Sequence, residues 1–165
     1  MNKASQNAMN DQIRHELESA YVYLSMAAYC ESVNMTGAAH WMRLQAQEEL
    51  DHAMRFFDHI IDRGGRVILQ AIEQPPGEFE SLLDVFQGAL AHEQKVTGLI
   101  NQIYDLAVQE KDYPAQALLQ WFVVEQVEEE KSAGEVVATL EMIGDDPAAL
   151  YALDRELGTR VPEEE

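Results

Sequence analysis

Apolar residues recur every three or four positions over long stretches of this chain, the spacing that lines one face of an α-helix. Ile13, Leu17, Ala20, Leu24 and Ala27 trace the first such stripe, with Tyr21 and Tyr23 at its flanks. It predicts a helix from about Ser5 to about Asn34, broken at Asn34-Met35-Thr36-Gly37, where Thr36 can cap the next helix. Trp41, Leu44, Phe56 and Ile60 carry the second stripe, from Gly37 to Arg63, and Gly64-Gly65 stops it. A third helix begins with the capping arrangement Ser81-x-x-Asp84 and reaches about Lys111. Phe86, Leu90, Val96, Ile100, Tyr104 and Ala107 mark its inner face. The fourth opens at Asp112-Tyr113-Pro114, a cap followed by proline in the first turn, and ends at Gly144. Leu118, Trp121, Phe122, Val136 and Leu140 line it. A short fifth helix is signalled by Asp146-Pro147 and closed by Gly158.

From Gly64 to about Glu80 no helix signal exists, and Gln74-Pro75-Pro76-Gly77 forbids one. Such a stretch can extend to roughly 50 Å, the length of a long helix. A helical hairpin needs far less, so the expected use is a crossover leaving the second and third helices parallel. Val67, Ile68, Leu69 and Ile72 in its middle predict packing on something, another subunit among the candidates. The expected fold is all-α: a four-helix bundle over residues 1–144, the fifth helix over 145–158 as part of the same domain, and a disordered acidic tail over 159–165.

Acidic residues break the stripes. Glu49 and His52 stand on the second stripe three residues apart, so on a helix both can grip one metal ion. Glu93 sits inside the third stripe, where a structural bundle would place leucine. Glu16 borders the first stripe, with Glu18 as an acid expected to face water, and the fourth passes through Glu125, Glu128 and Glu129. All lie within about a turn of their helix mid-points, and mid-points share one level in a four-helix bundle. Burying charge costs several kcal/mol per ion, a large part of the ~5–15 kcal/mol by which a domain is stable. No basic residue is expected on these faces, so a pair of divalent cations is the expected balance. Oxygen ligands with one imidazole favour iron or manganese, with zinc able to compete. The bland alternatives are that Glu128-Glu129-Glu130-Lys131 is a solvated face and that Glu16 points outward beside Arg14. His15, His40, His59 and His92 have no partner pattern and are expected on the surface or in packing.

Charge and composition narrow the partners. Thirty acidic residues against eleven basic give a net charge of −19, which opposes nucleic-acid binding through phosphates and gathers cations instead. No apolar run of membrane-spanning length and no signal pattern occur, and Cys30 is the one cysteine, so a cytoplasmic protein is expected, with no disulfide and no iron–sulfur cluster.

Arg14-His15-Glu16-Leu17-Glu18-Ser19-Ala20-Tyr21, Gln47-Glu48-Glu49-Leu50-Asp51-His52-Ala53, Glu93 and Trp121-Phe122-Val123-Val124-Glu125-Gln126-Val127-Glu128-Glu129 together resemble the ferritins, most closely the bacterial non-haem type. The resemblance spans nearly the whole chain and implies a ferroxidase that stores iron. It implies Glu16, Glu49 and His52 on one iron and Glu93 and Glu129 on the other, with Glu49 bridging. Tyr23 and Gln126 would orient the carboxylates and the bound oxygen species. A third, looser iron maps to Glu48, Glu125, Glu128 and Glu129. The substrates would be Fe(II) with O2 or H2O2, the product a hydrated ferric oxide inside a hollow shell of 24 subunits, without nucleic acid or membrane. Leu50 and Glu125-x-x-Glu128 stand where haem-binding relatives carry methionine and a second Glu-x-x-His, so no haem is expected. The acids of the animal threefold pore fall on Gln116 and Leu119. The alternative is a non-storing diiron or dimanganese oxidase or peroxidase of rubrerythrin-like type, opposed by the absence of that second motif and of any Cys-x-x-Cys.

Overall fold

Among the described residues helical periodicity becomes five helices: α1 Lys3–Ser32, α2 Thr36–Asp62, α3 Leu82–Gln109, α4 Tyr113–Ile143 and α5 Pro147–Leu157. The structure is a computed structural model that describes residues 1–162. The first four form a four-helix bundle and α5 is the short C-terminal addition. Their ends follow local chemistry. Ser81 accepts from the Asp84 N–H, Asp112 from Ala115, and Asp146 from both Ala148 and Ala149. Asn2 does the same for α1 through Ser5.

The cap expected from Thr36 does not form. Met35 is the N-cap of α2 and makes no side-chain bond there. The acceptor comes instead from α5, whose Asp154 Oδ1 takes the Ala38 N–H at 2.8 Å. A tertiary carboxylate has replaced the local hydroxyl, and it also sits at the positive end of the helix dipole. Leu24, expected on the buried stripe of α1, is 49% exposed, and Tyr23 is completely buried in its place. Both lie three or four residues from Ala20 and from Ala27, so periodicity alone does not separate them.

The crossover fixes helix direction. It leaves α2 beside the start of α1, where Arg66 N–H donates to Gln6 Oε1, and Asn10 bonds the Arg66 carbonyl and the Ile68 N–H. It then runs along α1, and Ser25 Oγ donates to the Pro76 carbonyl. Phe79 finally stacks edgewise on Tyr29 near the end of α1. That end is also where α2 begins, so α3 sets out parallel to α2. Ile68 and Leu69 remain exposed on the outside of this strap.

The core divides in two. One apolar cluster holds Met26, Trp41, Phe86, Val137 and Leu157, and the other Met9, Ile13, Phe56, Ile100 and Phe122. Between them each long helix contributes polar residues at the same level: Glu16 on α1, Glu49 and His52 on α2, Glu93 on α3, Gln126 and Glu129 on α4. Residues 163–165 of the tail expected to be disordered lie outside the described residues, whereas Arg160 within that tail makes several contacts.

Candidate metal centre

Each acid is delivered by the helical repeat that also buries its apolar neighbours. Glu16, Glu49 and Glu93 are each 1% exposed, His52 4% and Glu129 6%. One ligand atom each from Glu16, Glu49 and His52 lie within 4.8 Å of one another, and so do atoms from His52, Glu125 and Glu129. His52 therefore stands between two candidate cation positions. Its Nδ1 is 3.6 Å from Glu49 Oε2, and Trp121 and Phe122 hold its ring edge-on.

Glu93 belongs to neither group. Its carboxylate accepts from the Tyr23 hydroxyl and, at 3.2 Å, from Gln126 Nε2. Gln126 also reaches the Glu93 carbonyl and Thr97 Oγ1, both at 3.2 Å. Tyr23 and Gln126 thus orient Glu93 itself. Of the four residues assigned to a third position, Glu129 is buried, Glu48 and Glu125 are half-buried and Glu128 is exposed. The solvated-face reading of that segment therefore fits Glu128 and fails for Glu129, while Glu16 is turned inward and not out beside Arg14.

Two glutamines belong to the site without having been read from sequence. Gln12 Nε2 donates to Glu16 Oε1 at 2.8 Å, and Gln45 Nε2 donates to Glu129 Oε2 at 2.5 Å. Gln12 precedes Glu16, and Gln45 precedes Glu49, by one turn on the same inward stripe. A fully buried amide in that position is the signal that could have found them. A third omission is Arg160, which approaches Gln45 and Glu48 from the far end of the chain. No lysine or arginine is among the fully buried described residues, yet the rim of the site does carry a cation.

The electrostatics follow from four carboxylates sharing one dry layer. Burial pushes Glu16 well above the usual carboxylate range, and the nearby Glu49 adds to it. Glu49 is raised by burial and then by Glu93, and Glu129 by burial, Glu93 and Glu49. Glu93 is raised by burial, against the hydrogen bonds from Tyr23 and Gln126. The Tyr23 hydroxyl is held well above its ordinary value by burial and by Glu93, so it stays a donor. Glu16 Oε2 is buried with no hydrogen-bond donor. A buried carboxylate oxygen without a donor, beside a second carboxylate and an imidazole, fits a divalent cation of the iron, manganese or zinc kind.

Residues 6–143 match the model of the Ferritin-like domain family. The chain belongs to the ferritin-like family. Bacterial non-heme ferritin of Staphylococcus aureus (strain MRSA252) is 40% identical over 158 residues, 96% of this chain and 95% of that protein. The protein of the same name from Staphylococcus saprophyticus is 40% identical over 160 residues, 97% of this chain and 96% of that one. The open-pore ferritin of the hyperthermophilic archaeon Archaeoglobus fulgidus superposes with a TM-score of 0.97 at 48% identity, covering 98% of this chain and 99% of that one. A humanized archaeal ferritin reaches 0.98 at 46% identity, covering 99% of each. As a ferritin the chain falls in the iron-storage class that its motifs implied. Among the described residues, no helix is long and apolar enough to cross a membrane. Leu119, one of the two positions matched to pore acids, is wholly buried in the bundle, and Gln116 donates to the Ala107 carbonyl.

Proposed function

We propose that this ferritin is a ferroxidase that oxidises Fe(II) in the buried acidic layer of each subunit and stores the product. The observation that carries the proposal is the burial of Glu16, Glu49, His52, Glu93 and Glu129 in one layer, with Glu16, Glu49 and His52 close enough to share one cation and Glu129 close enough to share another with His52 and the outer Glu125. In this reading Glu16, Glu49 and His52 hold one Fe(II). Glu93 and Glu129 hold the second, and Glu49 bridges. Tyr23 and Gln126 each hold one oxygen of the Glu93 carboxylate, and iron would bind through the lone pairs those hydrogen bonds leave.

Each Fe(II) gives up one electron. O2 accepts both, with two protons, as hydrogen peroxide; where peroxide is the oxidant, it takes two electrons and two protons to give two waters. The raised carboxylates favour the neutral acid until a cation arrives, so binding releases protons at the centre itself. Fe(III) then moves toward a third, looser position formed by Glu48, Glu125, Glu128 and Glu129, and on into a hollow homo-oligomer of 24 subunits as hydrated ferric oxide. The net charge of −19 concentrates Fe(II) around such a shell. The single buried Cys30, whose thiol burial pushes up to about 12, suits a reducing cytoplasm.

Fe(II) added in air to the metal-free particle tests this directly. We expect oxidation far faster than in buffer, slowed at least about tenfold in Glu93→Ala and in His52→Ala while the particle mass is unchanged. Unchanged initial rates in both variants would remove the centre. A particle of only a few subunits would end the storage reading and favour a rubrerythrin-like oxidase.

A further inference from the structure

The chain beyond α5 is brought to the acidic layer by a tight joint. Gly37, at the start of α2, lies so close to α5 that a Cβ there would meet the Asp154 carbonyl oxygen at 1.6 Å. Asp154 also caps α2, and Gly158 approaches the Gly37 Cα within 3.3 Å of where its own Cβ would stand. Held this way, the following residues cross the flank of α2. His40 Nε2 bonds the Arg160 carbonyl at 2.9 Å, and the guanidinium lies over Trp41, 4.5 Å from the ring centre.

From there Arg160 reaches two α2 side chains at once. Nη2 donates to Glu48 Oε2 at 2.7 Å, and Nη1 donates to Gln45 Oε1 at 2.8 Å. With its oxygen occupied, the Gln45 amide presents its NH2 to Glu129. The ion pair is largely shielded, with side-chain exposures of 16% and 17%, so water and salt weaken it less than a surface pair. Glu48 in turn acts on the buried layer, its charge opposing ionisation of Glu49 and Glu129.

We propose that Arg160 is a positioning residue that guards the outer cation position: its guanidinium holds Glu48 Oε2 as a counter-ion, and a third cation must compete with that charge for Glu48. This rests on the ferroxidase reading above. The inner two positions then fill without competition from Glu48, and the affinity of the outer one is set by the C-terminal segment. Arginine suits the task because its planar fork binds carboxylate and amide together, which lysine cannot reproduce.

The test uses assembled, metal-free particles titrated calorimetrically with Zn(II), comparing wild type, Arg160→Ala, Arg160→Gln and the double variant Arg160→Ala/Glu48→Gln. We expect the weakest class of zinc sites to tighten on the order of tenfold in Arg160→Ala, since an opposing charge-assisted pair has gone. The double variant should lose that gain, which ties it to Glu48 and not to general surface acidity. Arg160→Gln, which keeps a hydrogen-bond donor without the charge, gives the same answer if the alanine variant fails to assemble. Zinc binding that is unchanged in both single variants, or a gain that survives Glu48→Gln, overturns the proposal. Fe(II) oxidation by wild type is followed alongside. Its absence counts against the ferroxidase reading, whereas the zinc titrations decide the role of Arg160 separately.

Discussion

At Glu93 the inner stripe of α3 carries a carboxylate between Ala89 and Val96, both buried apolar residues. An acid that interrupts a regular apolar stripe is legible in sequence, and so were Glu49 and His52 by the same argument. Glu129 was harder to isolate because Glu128 and Glu130 stand beside it, and only the register of α4 shows which one turns inward. Gln12, Gln45 and Arg160 escaped for a different reason. Amides carry no charge to make their burial conspicuous, and Arg160 meets Glu48 across 112 residues of chain. The residue scale also sets a pH prediction. Glu16, Glu49, Glu93 and Glu129 all have folded values above their ordinary ones, so in this range the folded state holds more protons than the unfolded chain. Their effect is absent below the usual carboxylate range and destabilising as pH rises through and above it. The metal-free particle should therefore lose thermal midpoint from pH 5 to pH 7 on this account, and Zn(II) should restore it. His92, lowered to about 4 by burial and then by Lys95, and His15 and His59, both lowered first by burial, pull in the opposite direction below their unfolded values. Repeating the melts in the triple variant His15→Gln/His59→Gln/His92→Gln separates the two. A midpoint in that variant that climbs with pH would contradict the assignment.

Among the elements, α5 is the one whose role could not be read locally. Its start and end were plain from Asp146-Pro147 and Gly158, but nothing nearby announced that Asp154 would take over the cap of α2 from Thr36. Long-range substitution of a cap is invisible to any local pattern. It has a measurable cost. Asp154→Ala leaves the Ala38 N–H without its acceptor in a buried place and should destabilise by about 1–3 kcal/mol. Gly37→Ala should act on the same joint by steric collision, and both should lower the thermal midpoint of the assembled particle. A melting curve for Asp154→Ala indistinguishable from wild type would show that the cap is replaceable. The crossover, by contrast, was legible in outline, because sixteen or so residues without helix signal have few other uses in a bundle. Its seat on α1 depended on Asn10 and Gln6, whose side chains satisfy its backbone.

For the whole molecule the telling surface is the outer side of α1 and its strap, where Tyr21, Leu24, Ile68 and Leu69 are exposed. Large apolar side chains left exposed on a chain of such high net charge are expected to be buried between subunits. We expect Leu24→Arg or Ile68→Asp to shift the particle toward small species in size-exclusion chromatography, with the helical circular dichroism preserved. An unaltered elution volume in both would place the contact elsewhere. Inside the bundle, the polar layer that parts the two apolar clusters amounts to a seam across all four long helices. Helical proteins ordinarily fray from their ends, where few bonds hold each turn. Here the middle turns, around Ser19, Gln45 and Gln126, are the ones expected to lose cohesion when no cation bridges the buried carboxyl groups of the seam. Stripped of cations, the protein should exchange amide hydrogens fastest relative to its loaded form at mid-height, opening along a fracture plane that its own chemistry normally welds shut.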